Sequence, residues 1–84
     1  MKSGIELIAD ERRRQIEEEG YDKEHDKHNS IKTLCHAAAA YVLGDSTLWE
    51  WDLSFWKPTS LRRDLVKAGA LIAAALDKLN EEAA

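Results

Sequence analysis

Trp49-Glu50-Trp51-Asp52-Leu53-Ser54-Phe55-Trp56 gathers four of the chain's six aromatic residues into eight positions. Rings of this size bury roughly 150–250 Å² each, so they are costly to leave in water. The segment is therefore either a plug that closes a small core or an exposed surface for a partner. It lies between two alanine-rich stretches of helical period, which favours the plug. On that reading, a small polar residue in place of Trp51 or Trp56 should unfold the protein.

Upstream of the aromatic run, Ile31, Leu34, Cys35, Ala38, Tyr41 and Val42 recur at three-and-four spacing and predict a helix with that face inward. Asn29 or Ser30 can cap its start, and Gly44 is its natural stop. Ala37 to Ala40 give it high propensity and a slim profile. Downstream, Pro58 bars continuation of any preceding helix, and Thr59 or Ser60 offers a cap for the third and longest helix. Leu61, Leu65, Ala68, Ile72, Leu76 and Leu79 form its expected inward stripe, with small residues Gly69, Ala70 and Ala73 beside it. A mid-helix glycine costs roughly 0.5–1 kcal/mol against alanine, so Gly69 predicts the close approach of a neighbour.

The first helix begins from a capping box, Ser3 with Glu6, and should end at Gly20. Ile5, Ile8, Ala9, Arg12 and Ile16 make a narrow stripe, while Asp10–Arg14 and Arg13–Glu17 are spaced to pair along the solvated face. Tyr21 to Asn29 has no apolar period and reads as loop. The expectation is one all-α domain over residues 1–84, with helices at about 4–19, 31–43 and 60–80, loops at 20–30 and 44–59, and a frayed acidic tail at Glu81 to Ala84.

A chain of 84 residues buries only about 60 to 65% of its unfolded surface, so every large apolar side chain counts. Hydrophobic residues at 44% and charged residues at 33% describe a folded protein. No apolar run is long enough for a membrane span, and Met1-Lys2-Ser3-Gly4 lacks the apolar stretch of a secretion signal, so a cytoplasmic protein is expected. The single Cys35 excludes an internal disulfide and reads as a buried reduced thiol. A net charge of −4 argues against general affinity for nucleic acid.

Two clusters carry candidate chemistry. His25-Asp26-Lys27-His28, after Glu17, Glu18 and Glu19, has the residue types of a divalent-ion site, but a structural zinc site wants four ligands with paired spacing. The preferred reading is structural: Asp26 caps a turn or meets an arginine, His25 bonds a helix end, and no metal or cofactor is called for. Arg62 and Arg63 sit near a positive helix terminus, where cations are disfavoured. Asp64 and an acid from the first helix, Glu11, Glu18 or Glu19, are expected to offset them. The functional alternative places Lys57 and the arginines on an anion. Candidate site residues are therefore Glu11, Arg14, Glu19, His25, Asp26, Lys57, Arg63 and Asp64, beside an aromatic cluster of Tyr21, Trp49, Trp51, Phe55 and Trp56.

Several segments together, Glu11-Arg12-Arg13-Arg14-Gln15, Glu19-Gly20-Tyr21, His25-Asp26, Trp49-Glu50-Trp51, Trp56-Lys57-Pro58 and Arg62 to Ile72, resemble a family of small, uncharacterised helical proteins carried by bacteriophages and prophages. The likeness covers nearly the whole chain. Relatives tend to have Trp at Tyr21, Pro at Glu50 and Trp at Phe55. A remoter likeness is to the all-α nucleoside triphosphate pyrophosphohydrolases, which hold Mg²⁺ between acids at i, i+3 on helices. Here Glu19-x-x-Asp22 has the spacing but spans Gly20, and Asp64 is followed by Lys67 rather than a second acid. The phage family has no established reaction, and the expectation is a non-catalytic accessory protein that interacts with a protein partner, while broad Ala and Gly helix faces beside a small core predict pairing with another copy. The alternatives are a nucleotide-binding or metal-dependent phosphohydrolase and a nucleic-acid-binding accessory protein.

Overall fold

Local signals set the helix ends. Ser3 and Glu6 exchange bonds, each backbone N–H donating to the other's side chain at 3.2 Å, and α1 runs Gly4–Glu19. The Ser30 hydroxyl accepts from the Thr33 N–H at 3.0 Å and opens α2, Ile31–Leu43. Gly44 ends it at φ 65°, with its N–H returned to the Ala40 carbonyl, a left-handed stop that glycine takes at no steric cost. Ser60 caps α3, Leu61–Ala83, by accepting from the Arg63 N–H at 3.2 Å. The acidic tail expected to fray continues this helix to Ala83, since nothing after Asn80 breaks it. The structure, a computed structural model, describes residues 1–19 and 30–83, with Glu19 described in its backbone only. Its fold is all-α, three helices packed on one another with no strand among the described residues.

The core lies between α2 and α3 and is built mostly of alanine. Ala37, Ala38 and Ala40 of α2 meet Ala68, Ala74 and Ala75 of α3, with Leu34 and Leu71 as the largest wholly buried side chains. Small residues let the two backbones approach closely. The aromatic connection closes one end. It contains two single 3₁₀ turns, Ser46–Leu48 and Leu53–Phe55, started by Asp45 and Asp52. Each aspartate side chain accepts the N–H two residues on, Thr47 at 3.0 Å and Ser54 at 2.8 Å. Those bonds hold both carboxyls below their ordinary value, the Thr47 hydroxyl first for Asp45 and the Ser54 N–H first for Asp52.

The plug reading holds for three rings. Trp49 is buried, stands edge-on to Tyr41 at 5.4 Å and to Trp51 at 4.9 Å, and donates its indole N–H to the Asp52 carbonyl at 3.1 Å. Trp56 lies against Tyr41 at 4.7 Å, and both Trp51 and Trp56 pack on the core from its edge. Phe55 does not join them and is 58% exposed. Glu50 reaches back to the His36 ring of α2 at 2.9 Å and ties the connection to that helix.

The faces of all three helices differ from the expected stripes. On α3, Leu61, Leu65, Ile72, Leu76 and Leu79 are exposed, and the alanines beside them face the core together with Asp64, Val66 and Leu71. Spacing shows that an apolar arc exists, but not which of two adjoining arcs turns inward. A bulky arc would have held the helices too far apart for the alanines of α2. On α2, Leu34, Ala38 and Tyr41 of the expected stripe are buried and Ile31 packs on the core, but Cys35 and Val42 are exposed, because the buried arc extends to the Ala37 and Ala40 side instead. On α1, Ile5, Ala9 and Ile16 lie outside while Glu11 and Gln15 are buried. Its charge pairs also shift, to Arg13 with Asp10, Arg14 with Glu11 and Arg14 with Glu18.

Gly69 does mark a close approach. A Cβ built there would lie 2.5 Å from Cδ1 of Ile8 and 2.8 Å from its Cγ1. About this point α1 lies across α3 rather than alongside it. Its adjacent residues Glu11 and Arg12 pair with Arg63 and Asp77 of α3, positions separated by about 21 Å of helix rise.

Candidate functional site

One buried carboxylate organises the seam between α1 and α3. Glu11 is 2% exposed, on the face that α1 turns to the start of α3. Arg14, one helical turn further on, donates a fork to it, Nε to Oε1 at 3.0 Å and Nη2 to Oε2 at 2.7 Å. Arg63 donates a third bond from α3, Nη2 to Oε1 at 2.6 Å. Bidentate, charge-assisted bonds of this kind are strong and directional. Burial works to raise the Glu11 carboxyl, but the bonds from Arg14 and Arg63 outweigh it and leave the group below its ordinary value. The expectation that an acid of the first helix offsets an arginine of the third is met by this pair.

The cluster floors a cleft of about 800 Å³ between the second half of α1, the end of the aromatic connection and the first turns of α3. Four cations line it, Arg14, Lys57, Arg63 and Lys67, against the two acids Glu11 and Glu18. The lining is net positive in a chain whose formal charge is −4. Tyr41 and Phe55 supply flat apolar walls. Lys67 is held by the Lys57 carbonyl at 2.6 Å and stands over the Tyr41 ring at 5.3 Å, while the Tyr41 hydroxyl accepts the Lys57 N–H at 3.4 Å. Gln15, one turn beyond Glu11 and 3% exposed, lines the same cleft, and its buried Oε1 has no hydrogen-bond partner among the described residues. An acceptor left in that state is costly unless a donor reaches it.

Of the residues the sequence singled out, Glu11, Arg14, Lys57 and Arg63 come together in this cleft. Asp64 stands beside it, buried, accepting the Thr59 N–H at 2.9 Å and lying 3.8 Å from Lys67. It serves the start of α3 rather than the cavity. His25, Asp26, Tyr21 and the Glu19 side chain lie outside the described residues. Among the described residues no three His, Cys, Asp or Glu side chains are grouped to hold a metal ion, and no helix is long and apolar enough to cross a membrane. Sequence reading missed Gln15, Tyr41 and Lys67 as cleft residues. For Gln15 the signal was present, since it follows Glu11 by four and so shares its face.

The fold and cleft define a small helical protein, three α-helices among the described residues, with a polar seam walled by aromatic rings. Comparison with known proteins adds no relative: no family model matches the chain, and no curated protein or solved structure matches it.

Proposed function

We propose that this chain is a non-catalytic accessory module, of the phage or prophage kind it resembles, that holds an anionic group of its partner in the cleft. The observation that supports this reading is the surplus of cations around Glu11. That carboxylate holds Arg14 by a fork and Arg63 by one of the five N–H groups of its guanidinium. Lys57 adds a point charge at the rim, and Tyr41 and Phe55 offer flat faces to whatever carries the charge. A carboxylate or phosphate beside a planar or aliphatic body suits such a lining. A cytoplasmic setting and association with further copies of the chain belong to the same reading.

Isothermal calorimetry tests it with inorganic phosphate, pyrophosphate, a nucleoside triphosphate and an acidic peptide, each with and without Mg²⁺. Heat that appears without Mg²⁺ and falls with rising salt is the expected result. Silence from the whole panel at millimolar concentration removes the cleft from consideration. Release of phosphate or pyrophosphate from the nucleotide in the presence of Mg²⁺ overturns the non-catalytic part and favours the phosphohydrolase alternative. That alternative has one supporting observation, the aromatic walls beside the cations.

A further inference from the structure

From the lining of the cleft we infer that the group it holds is the carboxyl end of a polypeptide, with its α-carboxylate on Arg63 and Lys57 and the N–H of the same residue on the Gln15 amide. The inference rests on the anion-holding reading above and names the group held. Charge narrows the choice of anion. Among the described residues the four cations of the lining face the carboxylates of Glu11 and Glu18, and Asp64 lies 3.8 Å from Lys67. The surplus is one positive charge, which a single carboxylate balances and a polyphosphate would exceed. Two of the cations are already engaged, Arg14 by its fork onto Glu11 and Lys67 by the Lys57 carbonyl. Free donors belong to the other two. Of the Arg63 guanidinium only Nη2 is bonded among the described residues, and its side chain is 43% exposed. The Lys57 side chain is exposed, and its ammonium has no partner among the described residues.

Gln15 sets the second requirement. Its Oε1 is shut from water in the wall of the cleft and has no hydrogen-bond partner among the described residues. Leaving a buried acceptor in that state is costly, and the terminal torsion of a glutamine amide is soft, so the oxygen can turn to a donor that enters. A bare carboxylate has no proton to give it. The ligand must therefore bring an N–H beside its charge, and the two must be close, because Gln15 follows the Glu11 anchor of Arg63 by a rise of about 6 Å. At a chain end the carboxylate and the N–H sit on one carbon. A hydrogen bond of about 2.9 Å outward from each spans the distance. An internal glutamate carries its charge on a flexible stem and loses more freedom in presenting the same pair. Tyr41 and Phe55 then flank the side chain of the last residue, which suits an apolar or aromatic one.

Calorimetry on the intact chain compares four probes, with inorganic phosphate as the anion control. N-acetylphenylalanine carries the carboxylate, the N–H and a ring; its ester analogue has oxygen in place of the N–H; N-acetylphenylalaninamide lacks the charge; and N-acetylglutamylphenylalaninamide keeps a charge only on a side chain. The acid should bind, its ester analogue about tenfold more weakly, and both amides more weakly still. In Gln15→Leu, its fold checked by circular dichroism, acid and ester analogue should bind alike, whereas Arg63→Gln should weaken both and preserve their ratio. If neither phosphate nor the acid gives heat at millimolar concentration, the anion-holding reading fails and this inference with it. If phosphate binds and the acid does not, or if acid and ester analogue bind the unaltered chain equally, only the chain-end assignment is wrong. Tighter binding of the glutamyl probe overturns it in favour of a side-chain acid. A ratio unchanged in Gln15→Leu overturns the role of that amide.

Discussion

The seam between α2 and α3 and the seam between α1 and α3 share one helix and are held by opposite means. The first is apolar, lined by alanines and closed by Trp49, Trp51, Trp56 and Tyr41. The second buries a carboxylate and an amide, Glu11 and Gln15, and is tied by arginines from both helices. Apolar burial is non-directional and tolerates small shifts. A buried ion cluster specifies one arrangement and returns little net stability, because desolvation consumes much of the attraction. The contrast points to a stable platform, α2 with α3, carrying a polar seam of fixed geometry.

The sharpest way to break that contrast is at the rings. Trp49→Ala should cost about 3–5 kcal/mol by opening a cavity at the closed end of the alanine seam, read as a large drop in the thermal midpoint. Indifference there would mean that the alanines need no cover. Next comes Glu11→Ala, which strands Arg14 and Arg63 and should cost about 3 kcal/mol, measured by urea unfolding. Its effect should stay below that of Trp49→Ala if the platform dominates.

Glu11 also predicts a pH signature. Its carboxyl is held below its ordinary value by Arg14 and Arg63, so its contribution is full above that ordinary value and is lost as pH falls toward the depressed folded value. Glu11→Gln should flatten the acid limb of a stability profile and leave the neutral region nearly level. Gln15→Leu removes an acceptor without a partner and should be neutral or gain about 1 kcal/mol, while weakening any ligand that donates to that oxygen. A clear loss would show that the amide is satisfied inside the free protein. Phe55→Ser should change the melt by less than about 0.5 kcal/mol, as for surface positions generally, and its effect should appear only in binding.

Features fixed by a few neighbouring residues were legible in the sequence. The capping box at Ser3, the stops and caps at Gly44, Ser30 and Ser60, and the close approach at Gly69 follow from local chemistry. The Glu11–Arg63 pair was legible as a charge that needed an offset. Orientation was not. A periodic arc reports a face without its direction, and here the preference of alanine for close packing overrode the size of leucine and isoleucine on α3, while on α1 the Glu11–Arg63 pair and the Ile8–Gly69 contact set the inward face. Cys35 failed because it lies at the edge of its stripe, away from the Ala37 and Ala40 side that turns inward. Phe55 was grouped with its neighbours by sequence, but the second 3₁₀ turn aims it at the cleft mouth instead. Gln15 attracted no notice because an amide has no charge to demand a partner.

The alanine seam inverts the usual sense of which substitutions a small helical protein forgives. At Ala37, Ala38, Ala40, Ala68 and Ala74 nearly every atom is enclosed, so growth by even a few carbons wedges two helices apart and costs typically about 1–3 kcal/mol. Residues commonly regarded as bland spacers become the brittle ones. Leucines along the outer band, by contrast, are free to drift in identity as far as folding is concerned, leaving that surface open to selection for whatever it touches.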